Sequence, residues 1–210
     1  QDVWTEARSV ASGQAELLEA RFDATLRRVE ATLDDMAVRV PEDAFQAKSA
    51  ERFRQMIEAE LERARHVFPE VAGFRIIDAD GGVLYRSGGG EYANLADRPY
   101  FREPKENIAA GLVFSEVITS RITGRPSLAA ARAIRTADGR FIGVISAAIE
   151  LSYFEALFKS VRLGELGALA IRRSDLHTLV VRHPPAPGEV NRALDATNPI
   201  VRSLKARSEE

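Results

Sequence analysis

From the start of the chain to residue 40 the apolar side chains keep helical spacing. Phe22, Leu26, Val29, Leu33, Met36 and Val40 stand 4-3-4-3-4 apart, which is a heptad seam. Val3, Val10 and Leu17 make an earlier seam seven residues apart, and the offset between the two is what a stutter produces. Pro41 cannot continue the hydrogen-bond ladder and ends the run. The pattern predicts one helix of ~60 Å at ~1.5 Å per residue, longer than a small domain needs. Two uses fit such a helix. One seam can pack on the domain's own core, and another stretch can pair with a second copy. A second helix is expected from Glu42 to His66, with Phe45, Phe53, Met56, Ile57 and Leu61 on its apolar side and Pro69 beyond its end.

At Gly73 the pattern shortens to strands. Phe74–Asp78 and Val83–Arg86 flank the turn Asp80-Gly81-Gly82 and predict a hairpin, followed by a flexible break at Gly88-Gly89-Gly90. Leu112–Thr119 and Ser127–Arg135 are two further strands, and Asp138-Gly139 turns the chain into Phe141–Leu151. The five strands follow the helices and do not alternate with them, so the class is α+β with an antiparallel sheet. Ser152–Ser160 reads as a short helix with Tyr153, Phe154, Leu157 and Phe158 on its apolar side. Ala168–Arg172 and Thr178–Arg182 form a last hairpin. The stretch from Gly167 to Arg182 aligns with Gly73 to Arg86, with a longer turn, as a second module of the same kind would. Chance likeness between two alternating hairpins is the other reading. The division expected is 1–68 for the helices, 69–162 for a first sheet module, and 163–210 for the start of a smaller second one, cut short and ending in a polar helix-like tail from Val201 to Glu210.

Composition removes options and adds none. The chain of 210 residues carries a net charge of −2, which offers nucleic acid no electrostatic footing. It has no cysteine, which excludes disulfides, thiolate metal sites and a cysteine nucleophile. His66, His177 and His183 have no metal-ligand spacing, so no metal is expected. No apolar run reaches the ~18 residues of a membrane span. The chain begins at Gln1 inside a helical pattern, as an excised piece would, any membrane helix having been trimmed off.

No nucleophile elbow, phosphate loop or dinucleotide fingerprint is present, so catalysis and a cofactor are not expected. The acid pairs Asp34/Asp35 and Asp78/Asp80 fall on a helix face and in a turn, where solvation explains them. The unusual cluster is Asp97-Arg98-Pro99-Tyr100-Phe101, in the long connection after the second strand. A guanidinium matches a carboxylate in a planar two-point grip, and a neighbouring tyrosine can wall a pocket and donate a hydrogen bond. The competing reading is structural: Asp97 caps a helix, Arg98 pairs with it, and Tyr100 and Phe101 pack on the sheet.

That cluster, with Gly111–Ser115, Ser120–Arg125, Ala131-Arg132, Asp138–Val144 and Tyr153-Phe154 in this order, resembles a Cache domain. The stretches Leu163–Gly167 and Val181–Pro184 resemble the start of the membrane-proximal module of a double Cache sensor. The likeness covers roughly residues 70 to 185. It is greatest to sensors attached to diguanylate cyclases and smaller to those of histidine kinases. The resemblance implies a PAS-like sheet binding a small ligand in the membrane-distal module. It further implies a periplasmic or extracellular part of an inner-membrane receptor, and a homodimer through the N-terminal helix. Membrane contact is then made only through flanking helices, and nucleic acid is not a partner. In amino-acid-binding members the Arg and aromatic of a similar run hold the ligand carboxylate, and Arg98 and Tyr100 match them. Those members hold the ligand amine with an Asp late in the last strand, where this chain has Ala148. A carboxylate or other small polar metabolite is therefore expected in place of an amino acid. Tyr85, Ser115 and Arg132 are further candidates, because strands of the sheet should line the pocket, while Asp97 orients the loop. The alternatives are a ligand-free dimerisation module and a chemoreceptor sensor.

Overall fold

The computed structural model describes residues 2–121, 123–161, 168–172, 179–195, 197–198 and 201, with side chains from Glu16 onward except at Pro187. The first helix, α1, spans Asp2–Arg39. Of its second seam, Val29, Leu33 and Met36 are buried, with Thr25 one turn earlier. Phe22, Leu26 and Val40 are half-covered. Leu17, from the earlier seam, is 73% exposed. The same helix therefore carries a stretch that packs on the core and a stretch that does not.

The second helix does not start at Glu42. After Pro41 the chain makes two short 3-10 turns, Glu42–Phe45 and Ala47–Ser49, before α2 runs from Ala50 to Val67. Tertiary anchors account for this. Phe45 is buried against the sheet at Gly143, and the Ala44 carbonyl accepts a hydrogen bond from Tyr85. A regular helix would carry both past their partners. The buried face of α2 is also narrower than expected, with Ile57 and Leu61 covered but Met56 58% exposed.

The main sheet joins β1 (Val71–Asp78), β2 (Val83–Arg86), β3 (Val113–Phe114), β4 (Ile118–Thr119), β5 (Pro126–Arg135) and β6 (Phe141–Glu150). Its order is β2-β1-β6-β5-β3, with β4 also on β5 and every pair antiparallel. The single strand expected over Leu112–Thr119 is two short pieces. Ser115 Oγ accepts the Ala129 N–H at 2.9 Å, so a side chain replaces the next rung of the ladder and the chain leaves the strand. One short helix, α3 (Pro99–Glu106), fills the connection from β2 to β3. Proline at its first position is already set for helical φ and lacks only an N–H that would have no partner there. Tyr100 and Phe101 of α3 join Ile77, Val83, Leu95 and Val144 in one apolar cluster over one face of the sheet. The other face meets the helices, through Tyr85 to Ala44 and through Arg132 to Asp34 of α1.

Residues 16–153 form one compact unit, and residues 1–15 with 154–210 form another. The second unit holds most of α4 (Leu151–Lys159), with Phe154, Leu157 and Phe158 buried. It also holds a separate hairpin of β7 (Leu169–Arg172) and β8 (Leu179–His183), in which Ile171 faces Val181. The hairpin's turn, the stretch Leu163–Gly167 and the tail after Val201 lie outside the described residues.

Candidate functional site

Side chains alternate across a strand, so the register decides what faces α3. Arg75 pairs with Ser146, Ser146 with Ala131, and Ala148 with Ala129. These positions share the face covered by α3. Of these, Arg75, Ala129, Ser146 and Ala148, together with Tyr100, Ser127 and Arg121, wall a cavity beneath the start of α3 and the turn after β4. Its volume is about 20 Å³, room for one water molecule.

Arg75 is the unusual member. It is 3% exposed, and no carboxylate bonds to it among the described residues. Nη1 donates to the Phe74 carbonyl at 2.6 Å and to the Ser87 carbonyl, and Nη2 donates to Gly89 O at 2.9 Å. Nε is buried and donates to nothing. Burial first, and then the Arg86 charge, push its pKa down to about 10. Gly73 makes this placement possible, since a Cβ there would stand 2.6 Å from Arg75 Nη1 and 2.4 Å from Ser87 O.

Tyr100 is buried, and burial raises its phenol pKa, while the charges of Arg98, Arg121 and Arg75 act in the opposite direction. Three guanidinium groups thus bear on one phenol. Arg98 immediately precedes α3. Its Nη2 donates to the Thr119 carbonyl at 3.3 Å, and its Nε is buried without an acceptor. Arg121 is held from outside by Asp97 in a two-point grip at 2.6 Å and 2.6 Å. That grip holds the Asp97 carboxyl below its ordinary pKa. Asp97 does not cap α3 and does not pair with Arg98. It ties the segment before α3 to the turn after β4.

The five residues expected at the site therefore separate. Tyr100 is in the cavity wall, and Arg98 lies beside it. Tyr85 is fully buried on the opposite face, donating to Ala44 O at 2.7 Å. Ile76 faces Tyr85 and Ile77 faces Val83, so a bulge between Val83 and Tyr85 turns the tyrosine toward the helices. Arg132 also points to the helices, with Nε 2.8 Å from Asp34 Oδ1. Ser115 spends its hydroxyl on Ala129 N–H and Glu116 O. Arg75, Arg121 and Ser146 were not anticipated. An arginine within the apolar strand Gly-Phe-Arg-Ile-Ile was the available signal. Ala148, where an amine-binding acid was sought, does line the cavity.

Residues 1–202 match the family model of the Cache domain, dCache_1. No curated protein matches the chain. Among solved structures, the extracellular domain assigned to histidine kinase rpHK1S-Z16 is 25% identical, with a TM-score of 0.73, covering 98% of this chain and 80% of that one. The sensor domain of the Vibrio cholerae histidine kinase DctB is 17% identical, with a TM-score of 0.65, covering 100% and 78%. The ligand-binding domain of the Pseudomonas fluorescens chemoreceptor CtaA, in complex with L-serine, is 16% identical, with a TM-score of 0.61, covering 92% and 77%. The long first helix, the antiparallel sheet and the family match over residues 1–202 together establish that this chain belongs to the Cache domain family, the sensor modules of signalling receptors.

Proposed function

We propose that the chain senses a small carboxylate, free of an amine, in the cavity under α3. One observation carries this reading: Arg75 is a buried cation that lines the cavity with no carboxylate bonded to it. An anion placed between Arg75, Tyr100 and Ser146 supplies the missing counter-charge, with Arg98 and Arg121 close by. Amino acids are bound by similar domains, as in the CtaA complex with L-serine. Here the described residues lining the cavity include no Asp or Glu, so an ammonium group has no carboxylate partner. Admitting a metabolite requires α3 and the turn after β4 to move outward, because small-molecule sites usually span roughly 300 Å³ or more. The Asp97–Arg121 pair, exposed and closing the two segments together, is the clasp of that movement.

In this reading the chain is the periplasmic or extracellular part of a membrane receptor with a kinase or cyclase output, and it has no catalytic role itself. No helix among the described residues is long and apolar enough to cross a membrane. The segment 69–162 is the membrane-distal module and 163–210 begins the proximal one. The exposed Leu17 supports pairing of two copies along α1.

The small cavity favours a second reading, a ligand-free dimerisation module. Calorimetry with a panel of mono- and dicarboxylates against amino acids separates the two. The expected result is saturable binding of a carboxylate, weakened about tenfold or more by Tyr100→Phe and by Arg98→Ala. If no member of the panel binds, and Arg98→Ala leaves signalling by the whole receptor intact, the ligand-free reading holds.

A further inference from the structure

A second cavity, of about 190 Å³, opens where β1 begins and β6 passes into α4. It shares no lining residue with the cavity under α3. Its walls are Pro69, Glu70, Ala72, Glu150, Ser152 and Tyr153. Glu70 is 1% exposed. Its Oε1 accepts from Arg28 Nη2 of α1 at 2.6 Å, while Oε2 is buried and accepts from nothing. A carboxylate taken out of water needs donors on both oxygens, so this one is half-satisfied. Glu150, another lining residue, is also largely covered, its side chain 15% exposed. Its Oε2 accepts from Arg125 Nη1 at 3.1 Å and from Ser152 Oγ at 3.3 Å. Arg125 is 70% exposed, so water screens the charge it brings.

We infer that this cavity binds a small primary ammonium ion. The walls offer acceptors: Glu70 Oε2, the carboxylate of Glu150 and the lone pairs of Ser152 Oγ. An –NH₃⁺ group has three donors and no acceptor, which matches a lining of two carboxylates and a hydroxyl. A metal ion fits poorly. Among the described residues no group of three His, Cys, Asp or Glu stands close enough to hold one, and calcium or magnesium takes about six oxygens. An anion is repelled by the two carboxylates. The bound ammonium bridges Glu70, already tied to α1 through Arg28, and the Glu150–Ser152 junction that opens α4. The inference is independent of the carboxylate reading, because the two cavities carry opposite charge.

The test is calorimetry on this chain with propylammonium chloride, and with tetramethylammonium chloride as a cation that has no N–H donor. Saturable binding of propylammonium is expected, with none for tetramethylammonium. Glu70→Gln and Glu150→Gln each weaken it about tenfold or more, and Tyr100→Phe leaves it unchanged. Glu150→Gln keeps the Glu70–Arg28 pair, so it stays informative if Glu70→Gln does not fold. Absence of saturable heat, equal binding of tetramethylammonium, wild-type affinity in Glu150→Gln, or loss of binding in Tyr100→Phe each overturns the inference.

Discussion

Arg75 is held by backbone carbonyls alone, at Phe74, Ser87 and Gly89. Burying a charge without a counter-ion is costly, and the downward pKa shift is the mark of that cost. Removing the charge relieves the penalty but also removes three hydrogen bonds. Arg75→Met should therefore change stability by no more than about 1 kcal/mol in urea denaturation while abolishing carboxylate binding. A loss of several kcal/mol with binding intact would mark Arg75 as a strut. Tyr85 and Arg132 are the converse case. Each has the chemistry of a ligand contact, and each is engaged elsewhere, Tyr85 with Ala44 O and Arg132 with Asp34. Residue type told which groups could bind an anion. It did not tell which were already occupied.

The elements differ in how much of their context was written in the spacing. The α1 heptads placed Leu33 and Leu17 on apolar seams alike, yet Leu33 is fully buried and Leu17 is 73% exposed. Leu33→Ala should cost about 2–5 kcal/mol, as truncation in a packed core does. Leu17→Ala should cost less than about 0.5 kcal/mol. Chemical denaturation of the two variants side by side checks this, and equal losses would contradict the division of the helix. The hairpins were legible because turn chemistry is local: Gly81 and Gly139 have φ of +88° and +86°, which glycine adopts without strain. The start of α2 was not, because Ala44 and Phe45 answer to the sheet.

For the whole molecule, the net charge of −2 hides clusters that act in opposite directions. Glu62 of α2 accepts from Arg65 and from the Gly88 N–H at 3.0 Å, fastening the glycine loop to the helix. The Arg65 hydrogen bond is the main cause that lowers its pKa from 4.5 to about 2. Its folded pKa lies below the unfolded one. The stabilisation is therefore complete above about pH 4.5 and disappears as pH falls through about 2. The side chain is 38% exposed, so solvent reduces the size of the effect. Thermal midpoints measured from neutral to acid pH should fall over that window, and less steeply for Glu62→Gln. Parallel curves for the two proteins would remove Glu62 from the account.

By itself the sequence determined the α+β class, the long first helix ahead of the strands and the two glycine turns, and it singled out the Asp97–Phe101 segment as a candidate. These rest on interactions within a few residues: periodicity, proline geometry and turn conformation. Only the tertiary structure decided which side of the sheet each strand residue serves. One bulge between Val83 and Tyr85 sent the tyrosine to the helices, while the register of β1 on β6 brought Arg75 and Ser146 to the cavity. A one-residue shift exchanges the two faces of a strand, and that shift is fixed by long-range pairing, which no local pattern carries.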